Sequence, residues 1–454
     1  MRKDSVLICG GRIIDPGDGI DMIGDLLIVD GVIAWIGEGG CAPLEQGGNV
    51  LAARGMVVAP GFVDLHCHLR EPGFEEKETV ASGTEAAARG GFTTVCCMPN
   101  TQPPIDTPAM VEFVKAKADS EGRVRVITIG CISRGQLGEE LTDMDGLAAA
   151  GVVAFSDDGK PVPSSLLMQR ALECGRRLDL PIIDHCEDTS LTAGGVMNDG
   201  SVSTRLGLKG MPAAAEESLV ARDIELARIT GARMHIAHVS TARSVDLVRR
   251  ARQDNVNVTA EATPHHLTLT EEKVDGCDAN FKVNPPLRTG ADVEAVIQGL
   301  KEGVIEAVAT DHAPHTAQDK TSDFKSAAFG ISGLETTLAV LLTLVYQGKL
   351  DLMTLVERLT AGPARVLQRR GRSSAASRAF PVRSGLGALT VGAAADVTVF
   401  DPGLEWEVDP NLFASKGKNN PWVGCLLKGR VMATVMNGGV AYKDDSVRME
   451  VRRN

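Results

Sequence analysis

The chain has 454 residues, 43% of them hydrophobic and 23% charged, with a net charge of −12. That length suits two or three domains, or one barrel of about 250 residues with additions. An acidic chain without a long basic run lacks the face that phosphate backbones require, so no nucleic-acid partner is expected.

The N-terminal stretch MRKDSVLICGGRIID has an apolar run of only four residues, too short for a signal-peptide core. Ten cysteines are scattered without a CxxC pair, and adjacent Cys96 and Cys97 would be strained as a disulfide. Reduced thiols and a cytoplasmic location follow as expectations. Residues 1–57 predict short strands, because SVLICGGRIID, GDLLIVDGVIAWIGE and NVLAARGMVVAP mix β-branched residues with Asp-Gly and Gly-Gly turns. Then the texture changes. Strand-like segments at 57–65, 93–98, 124–130, 151–156, 181–184, 234–238, 256–261 and 305–310 alternate with helical patterns such as 76–91 and 213–231. The second helix is expected to stop at Gly231. Eight βα units over this span is the arithmetic of a (β/α)8 barrel. TLAVLLTLVY (337–346) is half a membrane span and reads as a buried helix, so no membrane is expected. Residues 369–384, RRGRSSAASRAFPVRS, are aperiodic and read as a flexible connection. After them ADVTVFDP, WEVDP and GRVMATVMNGGVAY return to the strand texture of the N-terminus.

The predicted fold is therefore α/β: a (β/α)8 TIM-type barrel with a small β-sandwich domain built from both chain ends. The expected boundaries are 1–57 plus 384–454 for the β domain, 58–368 for the barrel and 369–383 for the connection.

All nine histidines lie between His66 and His315, so histidine chemistry belongs to the barrel. His66 and His68 follow strand 1, Asp157 and Asp158 follow strand 4, and His185 follows strand 5. His238 closes strand 6 and Asp311 closes strand 8. C-terminal strand ends converge on one face of a barrel, where active sites form. Each member alone is weak: a lone HxH is common, a DD before Gly is usually a turn or cap, and a buried histidine is usually a core residue. Five such features at five strand mouths point to a metal cluster. Four imidazoles and two carboxylates suit Zn²⁺ and exceed one tetrahedral shell, so a binuclear site with a bridging carboxylate is expected. Paired metals activate water for attack on an amide. A carboxylate must then move the proton to the leaving nitrogen, and Asp311 is the candidate.

Ten blocks taken in order resemble bacterial class I dihydroorotase of the amidohydrolase superfamily. They are PGFVDLHCHLREPG, CMPNTQPPID, FSDDGKPV, DHCED, HIAHVST, EATPHHLTLTEE, KVNPPLR, ATDHAPH, FGISGLETTL and KGKNNPWVG. The resemblance covers nearly the whole chain. It implies two Zn²⁺ per chain, one held by His66, His68 and Asp311, the other by His185 and His238, with Asp158 between them. The residues alone leave Asp157 open as the bridge. Many relatives, hydantoinases among them, bridge with a carboxylated lysine. FSDDG has none, and Lys160 lies two residues past Asp158.

The resemblance further implies reversible cyclisation of N-carbamoyl-L-aspartate to (S)-dihydroorotate in pyrimidine (UMP) synthesis. A metal-bridging hydroxide would attack, with Asp311 as general acid and base. His68, Arg70, Asn100 and His315 would grip the substrate near its carboxylate, Asn284 the ring, and the Phe329–Gly330 backbone the ring's polar edge. Residues 316–328 would form a loop near the pocket that acts as a lid. A homodimer is expected, with aspartate transcarbamoylase as a further partner. Plainer readings stand beside these. Arg70 could pair with Glu71 or Glu75 on the surface, and Asn100 could cap a turn. His265 and His266 read as structural, Cys67 and Cys186 as packing. The rival functions are a hydantoinase- or allantoinase-type cyclic amidohydrolase and an inactive structural partner of aspartate transcarbamoylase.

Overall fold

Both chain ends are rich in β-branched residues broken by Gly turns, and both form strands that need a partner for their edges. They find it in each other. The structure, a computed structural model, describes residues 5–39, 48–321, 323–368 and 385–451. The expected connection at 369–383 lies outside the described residues.

The N-terminal strands are β1 (Ser5–Asp15), β2 (Ile20–Val29), β3 (Val32–Glu38), β4 (Asn49–Ala52) and β5 (Val57–Pro60). The barrel strands are β6 (Phe62–Cys67), β7 (Phe92–Cys97), β8 (Arg125–Thr128), β9 (Phe155–Ser156) and β10 (Ile182–Asp184). A short parallel ladder, β11 (Met197–Asn198) with β12 (Gly210–Met211), sits in an excursion from the barrel. The barrel resumes with β13 (Met234–Ile236), β14 (Val258–Ala262) and β15 (Ala307–Val308). The C-terminal strands are β16 (Val397–Glu407), β17 (Leu426–Met436), β18 (Gly439–Lys443) and β19 (Met449–Val451).

The ends join in one sheet of order β18-β17-β16-β5-β1-β2-β3, with β4 branching from β1 and β19 from β4. The join is β5, antiparallel to β16 and parallel to β1. Ile8, Ile13, Leu26, Leu51, Val58, Val397 and Val435 share one buried apolar cluster. The expected sandwich is thus a single hydrogen-bonded nine-stranded sheet rather than two separate ones. The bulge between Ile8 and Gly11 lets β1 serve β4 with one half and β5 with the other.

In the barrel, β6-β7-β8 and β9-β10-β13-β14-β15 form two parallel arcs. Parallel bridges Gly130–Phe155 and Cys67–His312 join the arcs at both seams. Every expected barrel strand has a counterpart, with one correction. The strand expected over 57–65 is two strands broken at Gly61, and its first half belongs to the terminal sheet. A Cβ on Gly61 would lie 2.2 Å from the Thr93 hydroxyl, so only glycine lets the chain cross there.

Helices fall where expected. Val80–Arg89 starts at a Thr79–Ser82 capping box. Ala214–Thr230 ends on left-handed Gly231 (φ +67°). Thr337–Tyr346 is the predicted apolar helix, mostly buried. Among the described residues no helix is long and apolar enough to cross a membrane.

Candidate metal centre

A parallel barrel aims the residues just past its strands at a common mouth. His66 is the penultimate residue of β6, with His68 just beyond the strand. Asp158 lies past β9, His185 past β10, His238 past β13 and Asp311 past β15. All six are buried.

Their polar atoms meet around Asp158. Its Oδ1 lies 3.3 Å from His66 Nε2, 3.4 Å from His238 Nε2 and 3.7 Å from His185 Nδ1. Its Oδ2 lies 3.5 Å from His68 Nε2. Asp311 Oδ1 lies 3.1 Å from His68 Nε2 and 3.6 Å from His66 Nε2. His185 Nδ1 and His238 Nε2 are 3.0 Å apart. His66, His68 and Asp311 form one group at ligand spacing, and His66, Asp158 and His238 another. Asp157 points elsewhere: its carboxylate accepts from the Ile132 and Ser133 amides and the Ser133 hydroxyl. Lys160 is exposed.

The donor set fits a pair of divalent cations. His66 Nε2 is buried without a hydrogen-bond partner while two carboxylates face it. Four ring nitrogens and two carboxylates converge on one space, the donor types that Zn²⁺ prefers.

The far nitrogens of three imidazoles are held. Ligand imidazoles are commonly oriented this way. Glu261 accepts from His66 Nδ1 (2.8 Å) and lies 3.1 Å from His235 Nε2. Glu187 Oε2 accepts from His185 Nε2 (2.9 Å), and Asn100 Oδ1 from His68 Nδ1 (2.9 Å). Sequence reasoning missed Glu261 and Glu187. Each left a signal: an acid inside a buried strand, and an acid two residues past a site histidine.

The mouth opens into a cavity of about 280 Å³ lined by Arg70, Asn100, Asn284, His315, Phe329 and Gly330 among others. Arg70 has φ +63°. His238 and Asp311, at +32° and +45°, are also left-handed. Such strain in non-glycine residues collects at functional sites.

The surface ion pair considered for Arg70 is absent. Glu71 pairs with Lys117 and accepts from Val80 N–H, while Glu75 accepts from Gly73 N–H. Among the described residues the polar partners of the Arg70 side chain are Pro314 O (3.3 Å) and His315 Nε2 (3.4 Å). No carboxylate among the described residues lies within ion-pair distance of it. Asn100 is not a simple cap, because its oxygen faces His68 and its NH₂ remains for the cavity. His315 Nε2–H donates to Phe329 O (2.8 Å), and burial, then the Arg70 charge, pulls its pKa down to about 3.

The described residues of the 316–328 segment include a short helix, Ala317–Thr321, and are tied down. Lys282 Nζ donates to Lys325 O and Ala327 O, and Lys320 Nζ to Ala279 O and Ala328 O. Phe324 packs with Val196, Met197 and Val274. None of its described residues lines the cavity, whose wall is formed by His315 and Phe329 on either side of the segment.

His266 is structural: it bonds the Thr263 hydroxyl and Pro285 O, and burial pulls its pKa to about 3. His265 lies against it, with ring centroids 4.5 Å apart and planes tilted by 55°. Cys67 and Cys186 face away from the cluster, Cys67 toward Cys96 O and Cys186 toward Asp184 and Asp223. A larger groove of about 580 Å³, between the barrel and the terminal sheet, contains none of the expected site residues.

A family model described as Dihydro-orotase-like matches residues 55–244. A dihydroorotase of Pelotomaculum thermopropionicum is 51% identical over 444 residues, covering 98% of this chain and all of the relative. One of Citrifermentans bemidjiense is 48% identical, covering 97% and all. Among solved structures, an L-hydantoinase (dihydropyrimidinase) of Arthrobacter aurescens aligns with a TM-score of 0.85 at 24% identity, covering 98% of both chains. A dihydropyrimidinase of Brevibacillus agri aligns at 0.81 and 20%, covering 98% of this chain and 97% of the other. These two share the fold. With about half its residues shared along almost its whole length, the chain belongs to the dihydroorotase family of the amidohydrolase superfamily and is a cyclic amide hydrolase.

Proposed function

We propose that the protein interconverts N-carbamoyl-L-aspartate and (S)-dihydroorotate with two Zn²⁺ per chain. His66, His68 and Asp311 would hold one ion, His185 and His238 the other, with Asp158 between them. When bound, the ions would lower the pKa of a water and polarise the carbonyl under attack.

The remaining work falls to the chain. Arg70 and Asn100 NH₂ bind the substrate carboxylate, Arg70 with a planar fork that matches it, and His315 joins them once its Nε2–H leaves Phe329 O. Asn284 and the Phe329–Gly330 backbone orient the ring. In ring opening, the Asp311 carboxylate accepts the proton of the attacking water. The C–N bond then breaks as Asp311 returns that proton to the ring nitrogen. Cyclisation runs the same steps backward. The polypeptide divides in this reading into a barrel of 58–368 and an end domain of 1–57 plus 384–454, with β5 carrying the end domain's sheet on to Pro60.

The observation that carries the substrate class is Arg70: a guanidinium at the cavity wall beside a metal-ligand cluster, with no carboxylate partner among the described residues. A burial cost of this kind is offset when an anion arrives. Hydantoin rings carry no carboxylate for it to meet. The test is ring opening of dihydroorotate by zinc-loaded protein beside a hydantoin panel, with Arg70→Met in parallel. Loss confined to dihydroorotate supports the reading. Unchanged turnover of dihydroorotate by Arg70→Met removes it.

A further inference from the structure

The carboxylate end of the cavity offers donors: Arg70 and the Asn100 NH₂. The opposite end contains Asn284, whose amide could present either an oxygen or an NH₂. Glu187 decides which. Asn284 Nδ2 donates to Glu187 Oε2 at 2.7 Å, and the same oxygen accepts from His185 Nε2 at 2.9 Å. The other carboxylate oxygen accepts from the Thr192 hydroxyl. An ionised carboxylate only accepts, so the reversed amide would press two oxygens together. Asn284 lines the cavity and Glu187 does not. The oxygen on the far side from Glu187 is therefore the one the cavity meets, and among the described residues no protein donor reaches it.

We propose that Glu187 is a specificity-determining positioning residue, which locks the Asn284 amide so that its oxygen accepts a ring N–H of the substrate. This deepens the dihydroorotate reading and rests on it. The feature recognised is the N–H beside a ring carbonyl that cyclic ureides and imides carry. One carboxylate thereby ties a metal-facing imidazole to the ring-binding amide. The donor end and the acceptor end together let the substrate enter in one orientation only.

The experiment is a double-mutant cycle on KM for dihydroorotate, using wild type, Glu187→Ala, Asn284→Leu and the double variant. Excess zinc is supplied and metal per chain is measured in all four, so that KM is compared at equal loading. Each single change is expected to raise KM about 10-fold, and the double also about 10-fold, because coupled residues do not add. A double near 100-fold, the additive outcome, overturns the proposal. Glu187→Met, which fills the volume, replaces the alanine variant in the cycle if that one does not fold. Glu187→Gln can keep an acceptor oxygen toward both donors and turn its NH₂ to Thr192, so KM within about threefold of wild type is expected. A KM as poor as that of Glu187→Ala contradicts the acceptor role. A wild type that does not turn over dihydroorotate removes the activity reading and this inference with it. Additive effects in an active wild type remove this inference alone.

Discussion

The barrel mouth and the terminal sheet solve opposite problems. The sheet buries Ile8, Ile13, Leu26, Ile33 and Val397 against one another and pairs its strands edge to edge. Burial of apolar area suffices to hold it. The mouth instead buries four imidazoles and two carboxylates beside a half-buried guanidinium with no ion-pair partner among the described residues, and holds Arg70, His238 and Asp311 in left-handed backbone. Nothing in that arrangement is best for stability alone. The contrast separates residues kept for packing from residues kept for a ligand.

Substitutions at the two regions should therefore break different properties. The largest effect belongs to Asp311→Ala, which should abolish dihydroorotate turnover while Tm stays level or rises. An active variant refutes the assigned proton transfer. Next, Arg70→Met should raise KM for dihydroorotate by about 100-fold, the scale of a lost charge-assisted bidentate contact. In the sheet, Ile13→Ala should cost about 2–5 kcal/mol in denaturant unfolding and leave kcat unchanged. A kcat loss at full folding would mean that the sheet tunes the site.

Between the extremes stands Glu261→Gln, which leaves the cavity wall intact but weakens the support of His66. Metal affinity should fall by about 10- to 100-fold in chelator competition. Unchanged affinity would reduce Glu261 to packing. The smallest effect is expected at the seam. Glu335 accepts from the Ala414 and Ser415 amides, and burial raises its pKa from 4.5 to about 7. The folded chain thus holds this proton more tightly than the unfolded one. Its stabilising effect is complete below pH 4.5 and is lost as pH rises through 7. Glu335→Gln should gain Tm relative to wild type at pH 8 and lose that gain at pH 5. A pH-independent difference would contradict the shift.

Some of this was legible along the chain because it depends on local pattern. The helix over 337–346, the stop at Gly231 and the eight strand mouths follow from periodicity and turn chemistry that near neighbours impose. His66 and His68 stood out by spacing, and His185, His238 and Asp311 by their place after apolar runs. Other features depend on distant partners. Asp157 and Asp158 are equal in sequence, and only the amides of Ile132 and Ser133 separate them. Glu261 and Glu187 look like ordinary acids until His66 and His185 face them. The break at Gly61 and the single sheet with its join at β5 depend on β16, more than 300 residues away.

Residue types and their order were thus enough to read a metal-dependent amide hydrolase on a barrel, because the ligand chemistry of histidine and aspartate is intrinsic to those side chains. Which carboxylate meets the imidazoles, which acids brace them and whether Arg70 has an ion-pair partner among the described residues were decided by the closed barrel. These are questions of who stands within 4 Å of whom, and closure brings together groups from strand ends that the chain keeps apart.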